Sequence, residues 1–112
     1  MAKIECELKG QFDIILNSLH STIMGNSASA TLEDSSDFWG SGSRCSVRAY
    51  ERYTYLGKGR VSLNITLYEI EGRIFISAIS TGGSQALFFK INTVGEHTFL
   101  NTIKDVIDSY RI

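Results

Sequence analysis

Three arginines recur at intervals of four, Arg44, Arg48 and Arg52, with Tyr50 between the last two. On an extended chain these four side chains take one parity, and successive arginines stand about 13 Å apart at the usual strand rise. That is too wide to clamp one small phosphate, but it suits a groove over an extended anion. Guanidinium forks would meet carboxylates or phosphates, and Tyr50 would be available for stacking. This is the candidate face for an acidic protein partner. The ordinary alternative is a solvated face whose arginines keep company with Glu51, Glu69 or Glu71. Glu51 interrupts the apolar parity of the same run. A carboxylate there is either the polar anchor of a ligand cavity or the mark of a bulge. Phe38 and Trp39 sit in a Ser/Gly-rich stretch where packing does not call for them, so they either plug the end of a sheet or cover a pocket. Glu51, Tyr53, Trp39 and Phe38 thus form a candidate set for a small apolar ligand.

Other chemistry is weaker. His20 and His97 fall on different helical patterns, and no serine or cysteine has a local nucleophile signature. A hydrolase-like enzyme using Glu51 and a histidine is therefore the weakest reading, and no catalytic residue is assigned. Residues 80–85 hold two glycines that could form a phosphate nest, but no lysine and no helix start follow, so a hairpin turn is expected. Glu33, Asp34 and Asp37 lack the alternate oxygen spacing and closing glutamate of a calcium loop; no metal and no cofactor are expected. Cys6 and Cys45, without a C-x-x-C pattern, are expected as free buried thiols, both at core-facing parity.

The chain that must position these groups has 112 residues, 43% hydrophobic and 21% charged, the balance of one soluble globular domain spanning 1–112. A net charge of −1 argues against general affinity for nucleic acid or anionic membranes. No apolar run approaches the roughly 18 residues of a membrane span. Charges are mixed from the first residues, as in no signal peptide, so a cytoplasmic location is expected.

Alternation sets most elements. Residues 3–8 put Ile4, Cys6 and Leu8 on one side of a strand. Phe12, Ile15, Leu16, Leu19 and Ile23 make one helical face ending at Gly25-Asn26. Ala28, Ala30 and Leu32 suggest a short strand, and residues 33–43 read as a loop. Between 44 and 55 the odd positions (Cys45, Val47, Ala49, Tyr53, Tyr55) are the apolar ones and are predicted to face the core. Val61, Leu63, Ile65 and Leu67 repeat that parity. A three-residue loop 57–59 would pair Leu56 with Arg60, Tyr53 with Leu63 and Arg52 with Asn64. A Glu71-Gly72 turn would send Ile74, Ile76 and Ala78 inward and leave Phe75 and Ile79 on the arginine face. Residues 85–91 read as a further strand, and Thr93 with Glu96 has the spacing of a capping box opening the last helix. The predicted class is α+β: a curved antiparallel sheet of about six strands with two helices on one face, order β-α-β-β-β-β-β-α, helix-grip-like.

Residues 32–37 (LEDSSD), 48–53 (RAYERY), 80–86 (STGGSQA) and 88–92 (FFKIN) resemble an uncharacterised family of short proteins from Gram-positive, often anaerobic, bacteria, the family of unknown function DUF6054. The resemblance covers nearly the whole chain. It implies a stand-alone single-domain protein and transfers no activity, ligand or site residue. The expectation is a non-enzymatic binding module for a small ligand or a partner. The rival is a homodimer joined through an outer-face patch of Phe75, Ile79 and Phe88.

Overall fold

The computed structural model describes residues 2–53, 59–82 and 89–112, with side chains from residue 99 onward in the last segment. The elements run β1 (Ala2–Leu8), α1 (Phe12–Gly25), β2 (Thr31–Gly40), β3 (Ser43–Tyr53), β4 (Arg60–Ile70), β5 (Arg73–Gly82) and α2 (Phe89–Tyr110). The strands form an antiparallel sheet in the order β1-β5-β4-β3-β2. Strands β2 to β5 follow as a meander, while α1 carries the chain from one edge of the sheet to the other.

Both helices bury single stripes against one face. From α1 come Phe12, Ile15, Leu16, Leu19 and Ile23; from α2, Phe99, Leu100, Ile103 and Ile107. Opposite them lie Val61, Leu63, Ile65 and Leu67 of β4 and Ile74, Ile76 and Ala78 of β5, all at most 1% exposed. Each such aliphatic side chain contributes about 1.5–3 kcal/mol when fully buried, so β4 and β5 hold the centre of the core. Their pairing is set by the Glu71-Gly72 turn, with φ of 51° and 78°, the doubly left-handed geometry that matches strand twist. Ile74, Ile76 and Ala78 point inward as the turn requires, leaving Phe75 and Ile79 on the other side.

Four expectations are corrected. Residues 33–40 are strand rather than loop: β2 replaces the short strand at 28–32, and the described residues hold five strands, not six. Every residue of β2 is exposed, so the strand is held by pairing to β3 on one side and needs no apolar parity to advertise it. Residues 89–91 begin α2 instead of ending a strand, and the capping-box pair lies inside that helix; residues 85–88 lie outside the described residues. A short apolar run cannot by itself distinguish a strand from a buried helix turn.

The other two corrections are coupled. Arg60 pairs with Tyr53, not with Leu56, and Tyr50, not Tyr53, lies opposite Leu63. Arg52 is opposite Val61 rather than Asn64. Residues directly opposite share a face. With Leu63 and Ile65 inward, this register therefore turns the even positions of β3 towards the helices and the odd positions away. Ser46 and Tyr50 are the buried residues of β3, whereas Cys45, Val47 and Ala49 lie on the bare face. Tyr50 supplies the reason. It is the largest side chain in the strand that the core fully encloses, and the arginine stems beside it offer methylene surface to the helices while their heads reach the rim.

Candidate functional site

The inversion of β3 places Arg44, Ser46, Arg48, Tyr50 and Arg52 in one row beneath the helices. Arg44 is enclosed by three partners. Its Nη1 donates to Asp13 Oδ1 at 2.7 Å, and its guanidinium carbon lies 4.3 Å from the Phe12 ring centroid and 4.9 Å from that of Trp39. Asp13 and Phe12 belong to the first turn of α1, and Trp39 is the direct cross-strand neighbour of Arg44 on β2. At the other end of the row Arg52 lies over Phe99 of α2, 4.3 Å from the ring centroid. Burial lowers the pKa of Arg52, although an arginine remains charged under any working condition.

Arg48 occupies the centre. Its charge acts on the Tyr50 phenol, whose hydroxyl shares a 2.8 Å hydrogen bond with Nδ1 of His20 on α1. Burial raises the pKa of Tyr50, with the nearby Arg48 opposing, so the phenol stays protonated at neutral pH.

This row is not electrostatically closed on itself. Arg44 Nε, Ser46 Oγ and Arg48 Nε are buried without a hydrogen-bond partner. Each unmet buried polar group costs about 1–3 kcal/mol, and more when charged. Arg44 has Asp13, but among the described residues neither Arg48 nor Arg52 has a carboxylate within ion-pair distance. Asp37 and Glu69 lie opposite Ser46 and Arg44 on the same face, yet neither reaches a guanidinium. Two half-buried cations and a buried, unpaired hydroxyl thus lie on the helix-facing side of β3. Such an arrangement can accept the oxygens of an anionic group, the first with charge assistance.

The small-ligand set does not assemble. Glu51 is on the bare face and is held by Arg60 at 2.9 Å, which also lies over the Tyr53 ring at 5.6 Å. Phe38 pairs with Cys45 on that face, six positions along β3 from Glu51, and Trp39 points to the opposite one. At 63% and 69% exposure neither aromatic plugs the sheet. The carboxylate of Glu51 and the ring of His20 are separated by the sheet itself, so that pair cannot act on one substrate; the His97 side chain lies outside the described residues. Of the outer patch, Phe75 and Ile79 do share the bare face, while Phe88 lies outside the described residues. A concavity of about 440 Å³ on that face is lined by Glu5, Glu7, Thr66, Tyr68 and Phe75, among others, and Arg73 holds Glu7 through two hydrogen bonds. Both cysteines are free; Cys6 is on the helix side, whereas Cys45 is not core-facing. Among the described residues no cluster of metal-ligating side chains occurs, and no helix is long and apolar enough to cross a membrane.

Ser46, Asp13, Phe12 and Phe99 escaped the sequence reading as members of this site. One signal was available: Tyr50 shares the parity of the arginines, and a tyrosine amid them is a large side chain needing cover. A family model matches residues 1–111, that of a family of unknown function (DUF6054). No curated protein and no solved structure matches the chain.

Proposed function

The chain belongs to this family of unknown function, and we propose from its geometry that it is a binding module, not an enzyme, whose ligand is an extended anion held along the even face of β3. Arg48 and Arg52 would meet separate acidic groups, about 13 Å apart at their backbones, with Ser46 completing the site. One observation carries the reading: β3 turns arginines with unmet donors towards the helices while Val47 and Ala49 face outward. A strand selected for stability alone would show the opposite parity. Groups left unsatisfied in a folded interior call for an explanation in function, and an anion across Ser46 and Arg48 would satisfy two of the three at once.

Thermal shift against a panel of polycarboxylates and polyphosphates tests this. A ligand at 100 times its Kd adds about 2.7 kcal/mol of apparent stability, a readily measured rise. Arg48→Gln and Arg52→Gln should each abolish most of that rise while still folding. A panel that shifts nothing, or shifts both variants as much as the parent, removes the proposal.

A further inference from the structure

A second surface, independent of the arginine row, lies along the outer edge of the sheet. Among the described residues strand β2 pairs with β3 on one side only, and all ten of its residues are exposed. Past the register shift at Glu33, alternate residues from Asp34 to Gly40 present N–H and C=O groups outward, and no described strand pairs with them. The opposite edge is treated differently. Near Leu8, β1 is met by the chain's own C-terminus: Lys9 N donates to Tyr110 O, Ile112 N donates to Glu7 O, and Leu8 bridges Arg111. Among the described residues the long free edge is therefore β2, and it carries three exposed apolar side chains, Leu32 and Trp39 towards one face and Phe38 towards the other.

Charge says what could pair there. Glu33, Asp34 and Asp37 give β2 three carboxylates and no base. Glu33 lies 3.5 Å from Arg60, whereas Asp34 and Asp37 have no cationic partner among the described residues. A second copy added antiparallel would gather six carboxylates along one seam, and like charges across strands are destabilising. A basic strand would neutralise the same seam and stack its alternate side chains on Phe38 and Trp39, gaining cation–π contacts. We infer that β2 receives an extended basic segment of a partner protein by strand addition, with backbone hydrogen bonds supplying affinity and the acidic-aromatic side chains supplying selectivity.

Selection of the full-length protein against a displayed library of random decapeptides supplies the probe. Enriched peptides should carry lysine or arginine at alternate positions. The synthetic winner should change the fluorescence of Trp39, the only tryptophan. N-methylation of its alternate amides, which blocks pairing and leaves charge intact, should weaken binding more than tenfold. The triple variant Glu33→Gln, Asp34→Asn, Asp37→Asn should fold, as far-ultraviolet circular dichroism would report, and lose a similar factor. Arg48→Gln should bind the peptide as the parent does, which separates this edge from the anion site. Absence of enrichment, equal binding of the N-methylated peptide, or a triple variant that keeps its peptide affinity and merely self-associates would overturn the inference.

Discussion

Tyr50 is the residue on which the site turns, since its ring fills the core and its hydroxyl bonds His20. Its raised pKa has a consequence for stability. The folded state holds the phenol proton more tightly than the unfolded chain, whose tyrosines titrate near 10. The stabilisation is therefore complete below about pH 10 and is lost as pH rises through the higher folded value. Tyr50→Phe should cost about 1–2 kcal/mol at neutral pH, because His20 loses its partner. It should also flatten the alkaline decline of the urea midpoint relative to the parent, measured from pH 7 to 11. Cys6 offers a second residue-level test. Burial raises its thiol pKa, and it lies on the helix side of β1. Alkylation at pH 8 should label Cys45 on the bare face well before Cys6; the reverse order would mean that β3 presents its other face.

Among the elements, the two hairpins show what sequence reading could and could not reach. The β4–β5 turn was legible because two residues of defined chemistry fix register, and Leu63, Ile65, Ile74 and Ile76 have no alternative side to occupy. Glu71 nevertheless sits at φ 51°, where a non-glycine residue is strained. Glu71→Asn should raise stability by about 0.5–1 kcal/mol in urea unfolding, Asn-Gly being the favoured pair for this turn. Gly82 closes β5 at φ 109°, and a Cβ there would fall 2.9 Å from the Arg60 carbonyl oxygen. Gly82→Ala should therefore destabilise by more than a surface glycine change, about 1–3 kcal/mol. The β3–β4 register was illegible for a physical reason. Parity tells which residues of β3 travel together, and Arg44, Arg48, Tyr50 and Arg52 do. It cannot tell which side they face when the polar set includes long stems that pack as hydrocarbon. β2 was missed for the opposite reason, having no buried side to leave a pattern.

At the scale of the molecule, the helices cover one face of the sheet, and the arginine row of β3 lies on that covered side. Aliphatic side chains of β4 and β5 stabilise the centre, and the unmet donors of β3 draw on that reserve. The candidate site was thus half legible: its residues and common face could be named from spacing, whereas their position under α1 and α2 depended on a register that only the assembled sheet defines.

Urea unfolding of Arg48→Met, without added anion, tests this trade most directly. If Arg48 is kept for a ligand at the expense of stability, an apolar side chain of similar length should raise the free energy of unfolding by about 1–2 kcal/mol, because a desolvated cation with an unmet Nε is removed. A midpoint lowered by a comparable amount would mean that Arg48 holds the fold together, and the anion site would lose its foundation.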